Sequence, residues 1–244
     1  MEPLESIRQF WDADATSYDH SASHHPSTAL ERAAWAGALA RLVPAPPARI
    51  LDVGAGTGFL SLIAARLGHR VTAVDLSAEM LNRLRAKAAA EGLDVEAVEG
   101  RADQPSGDGF DVVIERHLIW TLPDPRSTLQ CWRQVAPRLV LFESAWGSAA
   151  HPIDALKARG REVLRRLRNV PPAHHAHYPT EVLTVLPFGS GIGPGELVEL
   201  VESCGWPGTR IERLRDVEWA MTKSLPPPDR LFGATAPCYA LVAG

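Results

Sequence analysis

The 244-residue chain carries 45% apolar and 22% charged residues, a globular balance with enough apolar surface for a sizeable core, which excludes global disorder. A formal net charge of -4 leaves no field to draw it onto a phosphate backbone or an anionic membrane, so neither nucleic acid nor membrane is an expected partner. Its cysteines, Cys131, Cys204 and Cys238, are scattered without a CxxC pair, and no basic leader or run of about 18 apolar residues marks a signal peptide or a membrane span; a reducing cytoplasm is expected.

From Pro3, the spacing of Leu4, Ile7, Phe10 and Trp11 along one face predicts a helix over 3–20 that ends near Tyr18. Thr28 and Glu31 form a capping-box pattern that opens a second helix to about Leu42, stopped by Pro44, Pro46 and Pro47. Short apolar runs then alternate with helical ones, the pattern of a parallel sheet buried on both faces. Strands are expected at 49–53, 70–74, 94–98, 110–114 and 138–142. Between them come helices at 57–67, from the Ser77 cap to Gly92, and over 126–136. Past Trp146 the regularity weakens. A helix over 152–168 precedes a His- and Pro-containing stretch and a glycine-rich loop, then comes a helix from Pro194 to Gly205, and two closing strands are expected at 210–221 and 237–242.

The most informative stretch is Leu51-Asp52-Val53-Gly54-Ala55-Gly56-Thr57-Gly58, where a buried strand turns into a helix. Glycines there let the backbone approach a ligand closely. The dinucleotide fingerprint GxGxxG would put its third glycine where Phe59 stands, so this loop is spaced for a different ligand. Asp75, 17 residues beyond Gly58 at the end of the next strand, can accept two hydrogen bonds from vicinal ribose hydroxyls and would repel a 2′-phosphate.

With these residues in order the chain resembles the class I methyltransferases that use S-adenosylmethionine (SAM), in particular the branch of the ubiquinone and menaquinone biosynthesis methyltransferases and of many bacterial natural-product tailoring enzymes. Residues 10–143 carry the resemblance well and the rest loosely. It rests on Phe10-Trp11-Asp12 with Tyr18-Asp19, on the glycine motif, and on Val74-Asp75-Leu76-Ser77 with Met80-Leu81. Phe110-Asp111-Val112-Val113 and the stretch from Arg116-His117 to Asp124-Pro125 complete it. The resemblance implies an α/β, Rossmann-like seven-stranded sheet with helices on both faces. An N-terminal helical lid over 1–48, a SAM-binding core over 49–146, a substrate-side insertion and helix over 147–208 and closing strands over 209–244 would follow. The expected activity is methyl transfer from SAM to nitrogen, oxygen or carbon of a small molecule, secondary-metabolite or quinone-like, leaving S-adenosylhomocysteine (SAH).

The same resemblance implies roles for particular residues. Asp52 and Gly54, with Ala55 in the same turn, would meet the methionyl amino group, Gly56 would lie under the ribose, and Asp75 would bind its hydroxyls with Leu76 against the adenine. Tyr18 would cover the cofactor, and Glu115 would line the floor near its methionyl part. Family members commonly carry an Asp directly after the glycine that ends the third strand, whereas this chain reads Gly100-Arg101-Ala102-Asp103. Either Asp103 reaches the adenine from further on, or Arg101 stacks on the base while the Ala102 N–H makes the edge contact.

Methyl transfer from a sulfonium needs mainly a well-placed nucleophile, and a hydroxyl or protonated amine also needs a proton acceptor. His117, just after the fourth strand, is the candidate base or substrate contact. Trp11, His20, Trp120 and Tyr178 are candidate substrate contacts. His20, His24 and His25, and His174, His175 and His177, form two clusters near the expected substrate mouth, but their spacing suits no metal site. Leu156, Val163, Leu164 and Leu167 at helical spacing put Lys157, Arg161, Arg165 and Arg168 on a solvated face. The loop 189–195 lacks the lysine of a phosphate-binding P-loop. A non-catalytic SAM-binding regulator and a nicotinamide-dependent oxidoreductase are the competing readings.

Overall fold

One seven-stranded sheet runs in the order β3-β2-β1-β4-β5-β7-β6. The computed structural model describes residues 3–21, 23–105, 107–144, 159–160, 163, 178, 180–230 and 237–244. Its strands are β1 (Arg49–Val53), β2 (Arg70–Asp75), β3 (Val95–Glu99), β4 (Val112–Arg116), β5 (Leu139–Ser144), β6 (Arg210–Arg213) and β7 (Cys238–Ala243). The first five are parallel, and β7 lies antiparallel between β5 and β6. Strand order reverses at β1, with β2 on one side and β4 on the other. A crevice therefore opens beyond its carboxyl end, where ligands of such sheets collect.

Side-chain alternation along the strands makes two cores. Ile50, Ile114, Val140, Phe142 and Ala240 face α2 (Ala29–Leu42), α3 (Phe59–Arg66) and α8 (Arg215–Ser224), meeting Trp35, Leu39, Leu60, Ile63 and Val217. Leu51, Val53, Val113, Leu139, Leu141 and Leu241 face α5 (Pro125–Val135) and α7 (Pro194–Ser203) through Leu129, Trp132, Leu197 and Val201. Burial on both faces is why these strands read as continuous apolar runs. Local signals set the helix starts. Thr28 Oγ1 accepts the Glu31 N–H at 3.1 Å while Glu31 Oε2 accepts the Thr28 N–H at 3.3 Å, a closed capping box. Ser77 Oγ accepts the Met80 N–H at 3.1 Å to open α4 (Ala78–Glu91), and Gly92 ends it with φ 65°.

Two expectations are corrected. The first helix, α1 (Pro3–Asp14), stops six residues short of His20, and Tyr18–His20 forms a separate 3-10 turn. Ser17 donates from its N–H and its hydroxyl to the Asp14 carbonyl, and such local bonds compete with helix continuation. The strand expected at 210–221 is a strand only over Arg210–Arg213; α8 follows at once. Leu214, Val217 and Ala220 recur at helical spacing and are buried, and Arg41 of α2 clamps the junction through Glu212 at 2.7 Å and Asp216 at 2.8 Å. Of the helix expected at 152–168, residues 159, 160 and 163 are described and helical; most of its basic run and the second histidine cluster lie outside the described residues. No described helix is long and apolar enough to cross a membrane.

Candidate active site

The turn after β1 is built almost wholly from backbone. The Gly54 and Ala55 N–H groups both donate to the Val74 carbonyl, at 2.8 and 3.1 Å, tying the turn to the end of β2. Gly54 has φ 67°, and a Cβ there would lie 2.7 Å from Leu118 Cδ1. Gly56, at φ 55°, would meet nothing nearer than Tyr18 Cε1 at 4.0 Å. Thus Gly54 is demanded by its own fold, while Gly56 leaves a bare floor for a ligand.

Two carboxylates flank this turn. Asp75 Oδ2 accepts the Gly56 N–H at 2.7 Å and Oδ1 accepts the Ser77 N–H at 2.8 Å, which fixes the plane of the group. Burial pushes its pKa up to about 6, against those backbone bonds. Asp52 accepts a short hydrogen bond from the Ser61 hydroxyl, and burial pushes it up to about 7. Both acids therefore favour a ligand that brings hydrogen-bond donors or positive charge.

A cavity of about 640 Å³ opens over the carboxyl edge, within the range of small-molecule sites. Its walls come from Gly54 and Gly56, from Asp75 and Leu76 after β2, from Arg101 and Ala102 after β3, and from Arg116, His117, Leu118 and Trp120 around the end of β4. A smaller recess beside the glycine turn is bordered by Tyr18, Asp52, Ala55, Phe59 and Arg116. Leu4, Ile7 and Trp11 of α1, with Tyr178, Leu183, Met221 and Cys238, also line the main cavity.

The N-terminal segment is pinned at two points. Asp19 accepts from the Thr57 hydroxyl and from Lys87 Nζ, each at 2.6 Å, and Asp12 accepts from the Ser77 hydroxyl at 2.6 Å. Between these pins the Tyr18 ring stacks on His24 with centroids 4.0 Å apart and meets the Trp11 edge at 5.8 Å. Ile7, Tyr178, Val182 and Leu186 form a satellite apolar cluster, with the Tyr178 ring 4.5 Å from Phe10, 5.7 Å from Trp11 and 5.6 Å from Trp120. That aromatic wall borders the cavity, and Leu76 packs against the same cluster.

At the end of β4 the backbone is strained. His117 has φ 59°, an uncommon conformation for a residue with a Cβ, and its Nδ1 lies 3.0 Å from Glu143 Oε2. Burial lowers the His117 pKa, Arg116 adds to this and Glu143 opposes it, so the ring is neutral near pH 7. Its Nε2 has no protein partner among the described residues.

The structure brings most of the expected residues to this crevice. Trp11, Tyr18, Gly54, Gly56, Asp75, Leu76, Arg101, Ala102, His117, Trp120 and Tyr178 border the main cavity, with Asp52 and Ala55 at the recess. Three stand elsewhere. Glu115 is still inside β4, fully buried under the turn that follows it, where its Oε2 accepts the Leu118 N–H at 2.7 Å; burial and the neighbouring Glu143 push its pKa well up. Asp103 is turned away and paired with Arg101 at 2.7 Å, and exposed His20 is not among the lining residues. Among the lining residues that the sequence did not assign to the site are Arg116, Met221 and Cys238; Arg116 left a trace, as a charge beside Glu115 at the end of an apolar strand. Among the described residues no group of three His, Cys, Asp or Glu is placed to hold a metal ion.

A methyltransferase-domain family model matches residues 50–137. The ubiquinone biosynthesis O-methyltransferase of Xanthomonas axonopodis pv. citri is 34% identical over 175 residues, covering 70% of this chain and 68% of that protein. The chain belongs to the class I SAM-dependent methyltransferases. The methyltransferase is also 34% identical to the ubiquinone biosynthesis O-methyltransferase of Caulobacter vibrioides over 130 residues, 52% of this chain and 50% of that one. Its fold matches the magnesium protoporphyrin IX methyltransferase of Synechocystis PCC 6803 solved with bound SAH, at a TM-score of 0.63 and 14% identity over 99% of both chains. A Haemonchus contortus phosphoethanolamine N-methyltransferase superposes with a TM-score of 0.62 at 15% identity, over 98% of this chain and 58% of that one. SAM is therefore its methyl donor, and the glycine floor and two acids of the crevice suit a ligand with a ribose and an ammonium group.

Proposed function

We propose that this methyltransferase acts on a hydroxyl of a small, largely apolar, ring-bearing molecule. The observation that carries the reading is the neutral His117 ring at the cavity wall, held through Nδ1 by Glu143 with Nε2 unpartnered among the described residues. In this assignment Asp75 accepts the ribose hydroxyls, Asp52 takes the methionyl ammonium, and Gly56 lies under the sugar. Leu76, Arg101 and Ala102 border the adenine, and Tyr18 covers it from the lid. The aromatic wall of Trp11, Trp120 and Tyr178 supports a flat, apolar acceptor, whose stacking energy orients the nucleophile.

SAM supplies a methyl group already activated on a sulfonium. The chain's own residues then have to hold the acceptor oxygen and take its proton. His117 Nε2 accepts that proton, and the Nδ1–H bond to Glu143 stabilises the resulting imidazolium. The O-methyltransferase relatives from Xanthomonas and Caulobacter support a hydroxyl acceptor. Incubation with methyl-labelled SAM and a panel of phenols and arylamines tests it. Labelled ethers and SAH are expected, with turnover lost as pH falls through the His117 pKa and reduced at least about tenfold in His117→Asn. Label on arylamines alone, or an unchanged His117→Asn profile, would overturn the assignment.

A further inference from the structure

Arg116 closes β4 and borders both the main cavity and the recess beside the glycine turn. Its guanidinium lies 4.1 Å over the Phe59 ring and 5.3 Å from that of Trp35, and Nη2 donates to the Ser23 carbonyl at 2.7 Å. These contacts fix the fork in place and supply no counter-charge. Arg8, Arg41, Arg66, Arg101 and Arg213 each meet a carboxylate, yet among the described residues none lies within ion-pair distance of Arg116. Burial lowers its pKa, outweighing Glu143 and Glu115, which act on it from beyond ion-pair distance. A charge so placed costs free energy that an incoming anion can return, and the planar fork of arginine matches a carboxylate best.

The recess adds a second, independent feature. Asp52 and Arg116 border the same small space without pairing with each other, Asp52 being engaged by Ser61. An acid and an arginine held apart around one recess complement an α-amino acid, whose ammonium and carboxylate share one carbon.

We propose that Arg116 seats a ligand carboxylate, and the pairing with Asp52 favours that of the methionyl end of the cofactor over one carried by the methyl acceptor. The inference rests on the SAM reading of the crevice. It also explains the composition of this strand end: an arginine with the Phe59 and Trp35 rings against it is a rigid anion seat.

Calorimetry with SAH and decarboxylated SAH, on the wild-type protein, Arg116→Met and Arg116→Lys, tests it. Methionine keeps the contact over Phe59, and circular dichroism checks each fold, with Arg116→Gln in reserve. The wild type is expected to prefer SAH by about tenfold or more; Arg116→Met should erase that preference and leave decarboxylated SAH within about threefold, and lysine should restore part of it. A second arm titrates benzoate into the SAH-saturated proteins, and binding lost only in Arg116→Met assigns the seat to the acceptor's carboxylate instead. An undiminished preference for SAH in folded Arg116→Met, together with benzoate binding that is absent or insensitive to the substitution, overturns the proposal. Failure of the wild type to bind either adenosine ligand overturns the SAM reading itself, while benzoate titrated into the free protein still decides whether Arg116 holds an anion.

Discussion

The cavity has two halves made in different ways. The half at the glycine turn is assembled from a few consecutive residues at the ends of β1 and β2, with backbone N–H groups and two acids at its surface. The rest of the lining is collected from Leu4, Ile7 and Trp11 at one end of the chain, Trp120 in the middle and Met221 and Cys238 near the other end. A contact site written within a short span keeps its chemistry when the rest of the chain changes. A wall collected from distant segments can be rebuilt one side chain at a time, which is what a change of acceptor requires.

The largest expected effect tests that division directly. Asp75→Ala removes a charged acceptor for two hydroxyls, each bond contributing roughly 1.5–3 kcal/mol, and SAH affinity should fall at least about a hundredfold by calorimetry. Trp11→Ala, in the other half, should leave SAH affinity within about threefold while altering which phenols are methylated. Equal losses in the two variants would dissolve the comparison.

Next in size is Gly54→Ala. The φ of 67° and the approach to Leu118 Cδ1 should cost about 1–3 kcal/mol, lowering Tm by about 2–4 °C for each kcal/mol and weakening SAH binding in step. Trp120→Ala should not disturb the turn, so a similar fall in SAH affinity there would mean that the halves are coupled.

The pH dependence sharpens the comparison further. In the free protein burial raises Asp52 and Asp75 to about 7 and about 6, and the proposed binding mode uses both as carboxylates. SAH affinity should therefore decline as pH falls through 7 and then 6, with protons released on binding in that window, seen as a dependence of calorimetric heat on buffer ionisation enthalpy. A flat profile would remove ionised acids from the cofactor half. The smallest effect is expected where Asp19 ties the N-terminal segment to the glycine turn: Asp19→Asn loses the partly buried Lys87 pair, about 1 kcal/mol, and should speed SAH release a few-fold by stopped flow.

The glycine turn and Asp75 were legible because adjacent residues make them and because only glycine allows their backbone. Glu115 and Arg116 show why neighbouring residues were not. Ending β4 at residue 114 left Glu115 as the first group beyond the strand and facing the crevice; the strand in fact runs through Arg116, so Glu115 stays on the face buried under α5 and α7 and Arg116 takes the opposite side. Because side chains alternate with a period of two, a boundary error of that size exchanges which residue lines the crevice. The alternative left open after β3 is narrowed for another reason: Asp103, a carboxylate two residues from an arginine, is paired locally with Arg101 at 2.7 Å.

By itself the amino-acid order determined the alternation of strands and helices, the bare turn after β1 and the acid after β2, since apolar period, capping residues and positive φ are properties of short segments. Only the tertiary structure decided that β7 inserts between β5 and β6, that His117 meets Glu143 from the neighbouring strand, and that Arg116 faces Asp52 across a recess. Those pairings join residues far apart in the chain, and their distances follow from sheet order and strand register, which no local pattern encodes.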